Sequence, residues 1–344
     1  MRISFNIPTY NRAKFLKQNL DILTAQIREL HKEDEVEINI SDNASTDETR
    51  QVSEACIAAN PQLHISYHCN EKNLGPDGNF ITAMHLAKGE YSLLWGDDDF
   101  LKEGGLVRIF ELAEYGDKND IQIMLSSTSL YDKSGNYKGE KPFLRSDIDE
   151  LTVDFSDLTQ ARAYFFLLKD MGGMLSFISD VVYKTSIINE IPFDEDFMGT
   201  HYAFLCYWWG WLAKGKKLYY SNQSFLKETL QYQPAYGFGV DRVLVDYKGY
   251  TLIANKFFEK ETLKKEFLAA FQNLHDLLNV MYLVYGDSKK YNRLLIPKLR
   301  ECGVSDEAIA ETKRFCGSKS TFKLFLYSFV PTYIFDILKN LKKR

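Results

Sequence analysis

Cysteine is scarce in this 344-residue chain, and no two cysteines have the spacing of a structural pair. The five cysteines are odd in number, lie far apart and form no CxxC motif, so the sequence predicts neither a disulfide framework nor a zinc knuckle. Unpaired, scattered cysteines are typical of proteins from a reducing compartment. We therefore expect a cytoplasmic protein.

Long hydrophobic runs and an excess of positive charge are also lacking. No stretch reaches the roughly 18 uninterrupted apolar residues that a membrane-spanning helix needs. The first residues enter a strand pattern without the basic region and apolar core of a signal peptide. The formal net charge of −5 argues against general nucleic-acid binding. At 45% hydrophobic and 26% charged, the chain is globular, and its length suits one large domain plus a smaller one.

Three consecutive acids, Asp97, Asp98 and Asp99, follow a short apolar run that stops at Gly96. A run of this length bounded by a glycine predicts the end of a buried strand. Adjacent like charges repel one another, so the cluster is costly unless a cation or strong donors neutralise it. Carboxylate oxygens are the ligands that Mg²⁺ and Mn²⁺ prefer. A solvated acidic turn is the alternative explanation.

Strand and helix patterns alternate through the N-terminal part of the chain. Alternation of this kind predicts an α/β protein with a mostly parallel sheet, whose loops converge at one edge. The predicted strands are 3–7 (which Pro8 ends), 36–40, 63–68 and 91–95. The predicted helices run from 13 to 27, from an N-cap and first turn at 45–48, and from 79 to 87. A helix at 105–115, a strand at 121–130, a hairpin turn at 132–136, a helix at 155–168, a strand at 175–183 and a last strand near 217–220 follow.

The chain becomes mostly helical after about residue 241. We therefore predict a sheet domain at 1–240 and a C-terminal helical region at 241–344, with helices at 243–258, 263–285, 289–299, 305–315 and 321–341. Residues 319–344 interleave apolar side chains with six lysines and arginines. A basic amphipathic helix can lie on anionic lipid at the inner face of the cell membrane. Packing on the helical region with a solvated basic face is equally compatible.

Three motifs in order resemble the family 2 glycosyltransferases with the GT-A fold, over roughly the first 220 residues. They are IPTYNR at 7–12, ISDNASTDET at 40–49, and NLGPDGNF followed by AKGEYSLLWGDDDFL at 87–101. Within that family, NLGPDGNF and GDDD are similar to the abequosyltransferase-like members that build bacterial surface polysaccharides. The resemblance implies a Rossmann-like central sheet, mostly parallel, with helices on both faces.

The resemblance also implies a nucleotide-sugar donor (UDP, dTDP, GDP or CDP type) and a divalent cation, Mn²⁺ or Mg²⁺. Asp42 is at the position that contacts the nucleotide base, and we expect Asp98 and Asp99 to bind the metal with Asp97 near the ribose. Asp97 and Asp99 by themselves also spell DxD. The expected donor-binding residues are Pro8, Thr9, Tyr10, Arg12, Asp42, Asn73, Gly75, Asn79, Asp97 and Arg242, the last reaching the diphosphate from the loop 232–242. A surface salt bridge explains Arg242 equally well.

The catalytic base is where the sequence departs from the family. Members commonly carry a Glu-Asp pair near the start of the helix before the last strand, and counting back from Lys214 places it at Ala203 and Phe204. Neither side chain accepts a proton. His201, one turn upstream, is of the residue type whose ordinary pKa is closest to neutrality. Three roles stay open for it: catalytic base, third metal ligand or helix-cap histidine. Asp196 is the second candidate base.

Together these features predict an inverting, metal-dependent glycosyltransferase. The acceptor would be a hydroxyl of a glycan or of a lipid-linked oligosaccharide. A sugar nucleotidyltransferase is a weaker alternative, because PTYNR lacks the glycine-rich phosphate loop usual after the first strand of such enzymes. The absent Glu-Asp pair motivates another alternative, a sugar-nucleotide-binding protein without catalysis.

Overall fold

The computed structural model describes residues 1–132, 134–145, 147–229, 240–274, 296–301, 306–307 and 309–310. The chain divides into two compact units. One consists of Met1–Tyr232 and Ile253–Ala270, and the other of Gln233–Leu252 and Phe271–Arg344. The predicted domain boundary between residues 240 and 241 stays a prediction.

The first unit begins with the alternating strands and helices that the sequence predicts. Its first four strands are parallel to one another and lie side by side in the order β3-β2-β1-β4. The elements are β1 (Ile3–Thr9), α1 (Ala13–Glu29), β2 (Val36–Asp42), α2 (Thr49–Ala59), β3 (His64–Cys69), α3 (Gly75–His85) and β4 (Tyr91–Leu94). The carboxyl ends of these strands therefore share one edge of the sheet.

Six further strands extend the sheet. In the described residues it has ten strands, with β9 inserted antiparallel between β4 and β6, and β7 and β8 paired to β6 and β10. The elements are β5 (Phe100–Leu101), α4 (Gly105–Asn119), β6 (Ile123–Tyr131), β7 (Tyr137–Lys141), β8 (Glu150–Asp154), α5 (Leu158–Leu167), β9 (Val181–Lys184), α6 (Ile187–Glu190), α7 (Leu205–Ala213) and β10 (Lys217–Thr229). The predicted α/β class is confirmed, and the sheet is mixed: β1 to β4 are parallel to one another, whereas β5, β7, β8 and β9 pair antiparallel with their neighbours.

Strand β1 is the centre of the core. All seven of its residues are buried, because both faces of a parallel sheet are covered. Helix α1 packs its apolar stripe, which includes Leu16, Leu20 and Leu23, into the same core. The ring of Trp95, just after β4, meets Phe5 edge-on at 5.4 Å between centroids. This packing fixes the ends of β1 and β4 relative to each other.

Several predicted boundaries were wrong, and the strand predicted at 175–183 begins only at Val181. Helix α3 begins at Gly75 and not at 79, because Pro76 suits the first turn of a helix, where no intrahelical N–H bond is lost. Strand β1 runs through Pro8 to Thr9. The Asn6 carbonyl faces the β4 side and accepts the Trp95 N–H at 2.8 Å, and the backbone N–H position of Pro8 faces the same side. Because β4 ends at Leu94, no strand lies opposite Pro8. The missing N–H of Pro8 therefore breaks no ladder bond.

The last strand, β10, is also longer than predicted, and β8 was not predicted at all. β10 reaches Thr229 because its register with β6 shifts between Ser221 and Leu226 and pairing then resumes. β8 is an antiparallel partner of β10 with mostly exposed or half-buried residues. Residues 221–229 of β10 lack the apolar alternation on which a sequence-based prediction depends, whereas the alternation of Leu151 and Val153 in β8 was overlooked.

Three helices are described beyond the sheet: α8 (Val240–Phe257), α9 (Glu261–Leu274) and α10 (Ile296–Glu301). In the second unit Phe271 packs against Tyr247 and Tyr250, with centroid distances of 4.8 Å to each. The predicted helix at 321–341, all but four residues of the one at 305–315, and residues 275–295 lie outside the described residues. Within the described part of the chain, no helix has the length and hydrophobicity to cross a membrane.

Candidate active site

Strand pairing brings the predicted acids and the first motif together. β1 pairs with β2 as far as Thr9 and Asp42, and with β4 as far as Asn6 and Leu94. The residues that follow these strands therefore lie at the same edge. Thr9 Oγ1 donates a hydrogen bond to Asp97 Oδ2 at 2.8 Å. The convergence inferred from the strand pattern is thus observed.

Arg12 neutralises part of the acidic cluster. Its Nε lies 3.3 Å from Asp97 Oδ1, and its Nη2 donates to Asp98 Oδ2. The guanidinium also lies over the Phe15 ring, 4.9 Å from the centroid. Burial opposes the charge on Arg12, but Asp97 and then Asp98 outweigh it and raise its pKa above the ordinary value. The strong donor that the three acids require is therefore within the chain.

Asp97 and Asp99 are held differently from Asp98. Asp97 is only 4% exposed, and burial raises its pKa to about 7 although Arg12 opposes the shift. Asp99 Oδ2 accepts from Ser179 Oγ at 2.5 Å, and burial, followed by the charge of Asp98, raises the pKa of Asp99 to about 7. Two carboxyl groups thus change charge near neutrality, which is common at functional sites.

A buried side chain from α1 holds the acidic turn. Asn19 Nδ2 donates to the carbonyl oxygens of Gly96 and Asp99, both at 2.8 Å, and Asn19 Oδ1 accepts from Trp95 Nε1 at 3.0 Å. A Cβ at Gly96 would overlap the Asp99 carboxylate, so a larger residue there would displace that side chain. Asn19 was not predicted, and its signal was a polar residue on the apolar stripe of Leu16, Leu20 and Leu23.

Asp180 is a second residue that the sequence analysis missed. It precedes β9, is fully buried, and its two carboxylate oxygens have no hydrogen-bond partner in the described residues. Burial, then the nearby Asp99, raises the pKa of Asp180 well above its ordinary value. No sequence pattern indicated its position, because β9 enters the sheet beside β4 from a distant part of the chain.

On the β2 side, Asp42 is buried and both of its oxygens have partners. Oδ1 accepts from the backbone N–H of Ser45 at 2.9 Å, and Oδ2 accepts from the Tyr67 hydroxyl at 2.6 Å. Tyr10, at the tip of the neighbouring loop, is 43% exposed. Asp42 thus lies at the predicted edge, held by two donors, beside an exposed aromatic ring.

The other predicted donor-binding residues stabilise the loops around this edge. Asn43 Nδ2 donates to Asn73 Oδ1 and to the Gly75 carbonyl, each at 3.0 Å. Asn79 Nδ2 donates to the Ser41 carbonyl at 2.9 Å. Arg242 is in the first turn of α8, and its side chain lies outside what the structure describes.

The two candidate bases have different surroundings. The backbone N–H groups of His201 and Ala203 donate to the two carboxylate oxygens of Asp77, at 2.9 and 3.1 Å, and His201 has φ of +61°. Asp196 instead forms an ion pair with Lys256, at 2.5 Å between Oδ2 and Nζ, and its side chain is 64% exposed. The contacts of Asp196 are those of a surface residue, whereas Asp77 ties the His201 segment to α3.

The donor chemistry of the acidic turn suits a hard divalent cation, because all three side chains are carboxylates. Each acid already has a partner among the described residues, Asp97 in Thr9 and Arg12, Asp98 in Arg12, and Asp99 in Ser179, so metal binding by Asp98 and Asp99 stays a prediction. Among the described residues, no three His, Cys, Asp or Glu side chains are grouped as a ready-made metal site.

Comparison with known proteins agrees with the motifs. Residues 4–169 match the model of the family "Glycosyl transferase family 2". The abequosyltransferase RfbV of Salmonella typhimurium is 32% identical over 286 residues, which are 80% of each chain. Identity at this level over this length shows common family membership.

Two solved structures share the fold. TarS of S. aureus in complex with UDP-GlcNAc aligns with a TM-score of 0.62 and 20% identity, over 90% of this chain and 83% of that one. The mannosyltransferase PcManGT from Pyrobaculum calidifontis, in complex with GDP-Man and Mn²⁺, aligns with a TM-score of 0.53 and 14% identity, over 95% and 85%. The chain therefore belongs to the family 2 glycosyltransferases, with the GT-A fold and an abequosyltransferase-like sequence.

Proposed function

We propose that this glycosyltransferase is metal-dependent and inverting, and that it transfers a sugar from a nucleoside-diphosphate donor to a hydroxyl of a glycan or lipid-linked glycan. The observation that carries the proposal is the contact of Thr9 and Arg12 with Asp97 at the shared strand edge, next to Asp42. The name of RfbV, an abequosyltransferase, supports transfer of a sugar, and the Mn²⁺ in the PcManGT complex supports a metal.

The residues of this chain have distinct roles in that reaction. Tyr10 and Asp42 would bind the nucleoside, while Thr9 keeps Asp97 oriented beside it. Asp98 and Asp99 would hold the divalent cation, which when bound neutralises charge that develops on the departing diphosphate. The acceptor hydroxyl attacks the anomeric carbon from the side opposite the diphosphate, so the configuration inverts.

Thermal stabilisation by nucleotides tests the proposal. UDP, dTDP, GDP and CDP would each be added to the full chain with Mn²⁺ or with EDTA. A ligand at a hundredfold excess over its Kd adds about 2.7 kcal/mol to the free energy of unfolding. We expect at least one nucleotide to raise the Tm with Mn²⁺ and to do so much less with EDTA. Equal shifts with Mn²⁺ and EDTA would contradict metal dependence.

His201 is the proposed base, because its segment lies at the start of α7 where the family's acidic pair is replaced by Ala203 and Phe204. His201→Asn is expected to lower kcat by about 10²- to 10⁴-fold, the usual contribution of a general base, and to remove the rise of rate with pH. His64→Asn, a change of the same kind at an exposed position of β3, is the control. A wild-type pH–rate profile in the His201 variant would eliminate this role and leave Asp196 as the candidate.

Two further proposals concern the side chain of Arg242 and residues 319–344, which the structure does not describe. Arg242 is proposed to reach the diphosphate, and Arg242→Ala should then weaken binding of the nucleotide. The basic, apolar composition of residues 319–344 supports peripheral binding to the membrane. Flotation with anionic liposomes, comparing the full chain with one that ends at Ser318, measures it. Equal flotation of the two chains would end that idea.

A further inference from the structure

The backbone around Arg12 is tightly held. Asn11 adopts φ of +52°, donates its N–H to Ser45 Oγ at 2.8 Å, and accepts the Thr46 N–H on its Oδ1 at 2.7 Å. The Ala13 N–H donates to Asp47 Oδ2 at 3.0 Å. The residues on both sides of Arg12 are thus fixed to the segment after β2. Any movement of the guanidinium must come from side-chain rotation.

The Arg12 side chain has the freedom to make that movement. It is 29% exposed, and Asp98, its partner through Nη2, is 26% exposed. Asp97 keeps its bond from Thr9, and Asp99 keeps its bond from Ser179, whatever Arg12 does. Within the described residues, Arg12 gives Asp98 its one side-chain hydrogen bond, so Asp98 is the acid that would lose its partner if Arg12 turned away.

We propose that Arg12 is an internal counter-cation that competes with the divalent metal for Asp98 and turns toward the donor diphosphate when metal and nucleotide bind. A guanidinium and a divalent ion on one carboxylate would repel each other, so they hold Asp98 alternately. Guanidinium pairs well with phosphate oxygens, which gives Arg12 a second partner at the same edge. This inference rests on the proposed metal dependence.

The exchange has a thermodynamic consequence. Without nucleotide, metal must displace Arg12 from Asp98, so the wild-type chain binds metal weakly. A nucleoside diphosphate offers Arg12 another partner and thereby raises the affinity for metal. By linkage, metal raises the affinity for nucleotide by the same factor. Removing the charge of Arg12 should therefore strengthen binding of metal alone and reduce the coupling.

Calorimetric titration of the full chain with Mn²⁺ alone tests the exchange. We expect Arg12→Gln to bind Mn²⁺ at least tenfold more tightly than the wild type. Arg12→Lys keeps the positive charge that competes with the metal for Asp98. Its Kd for Mn²⁺ should therefore stay within about threefold of the wild-type value. Arg162→Gln is the matched control, because it removes the same charge from an exposed pair with Glu266. If Arg12→Gln does not fold, Arg12→Met is used in its place, because methionine retains the apolar stem over Phe15.

The second readout is the same titration in the presence of UDP, dTDP, GDP or CDP. For any nucleotide that binds, the gain in Mn²⁺ affinity should be at least tenfold smaller in Arg12→Gln than in the wild type. An unchanged affinity for Mn²⁺ alone in Arg12→Gln and Arg12→Met would overturn the inference, and metal binding by the wild type with nucleotide would still support the proposed function. If neither the wild type nor any variant bound Mn²⁺ with any of the nucleotides, both the inference and the proposed function would be overturned.

Discussion

Asp98→Ala is expected to reduce sugar transfer and donor hydrolysis by roughly 10²- to 10³-fold or more, the usual loss when a group that stabilises transition-state charge is removed. Asp98 is the acid best suited to this test. Its contact is with Arg12, and Arg12 keeps Asp97 as a partner when Asp98 is replaced, so we expect little loss of stability. The variant should therefore fold normally and lose its activity through the metal.

The kcat of Asp98→Ala would be measured at saturating Mn²⁺ and donor, and its Tm would be measured alongside. Asp21→Ala is a fitting control, since Asp21 is an exposed acid on α1 paired with Lys17. Its activity should equal that of the wild type. Wild-type kcat in Asp98→Ala would remove Asp98 from the metal site. Asp99→Ala is a less informative substitution, because it also removes the partner of Ser179.

Much of the fold was predictable because its signals are local. The strands β1, β2 and β4 are short apolar runs, each followed by a loop with a distinctive motif, and parallel pairing then places Thr9, Asp42 and Asp97 at one edge. The order of β1 to β4 required only short crossovers. This explains why the site's first half could be inferred from residues 1–101.

The second half of the site could not be inferred, because it depends on pairing between distant segments. Ser179 reaches Asp99 only because β9 inserts antiparallel between β4 and β6, about 80 residues after the acids. Asp180 arrives by the same insertion. Asn19 belongs to a local helix, but its role depends on three groups of a turn 76–80 residues away.

The acidic turn itself carries a stability prediction. Asn19→Ala is expected to lower the free energy of unfolding by about 3–5 kcal/mol, because buried polar groups left without a partner cost roughly 1–3 kcal/mol each. The variant leaves Trp95 Nε1 and the Asp99 carbonyl without the buried amide of Asn19, while the Gly96 carbonyl keeps the Asp99 N–H at 3.2 Å. The better helix propensity of alanine offsets only about 0.5 kcal/mol.

Urea unfolding at constant pH, followed by circular dichroism, measures the effect of Asn19→Ala. Asn119→Ala is the matched control, since Asn119 ends α4, is exposed and donates one bond to the Tyr115 carbonyl at 2.9 Å. Its change should stay within about 0.5 kcal/mol, as is usual at the surface. A loss as small as this in Asn19→Ala would mean that water or a backbone shift replaces the amide. A large loss with weakened Mn²⁺ binding would show that one side chain of α1 holds both the fold and the acids in place.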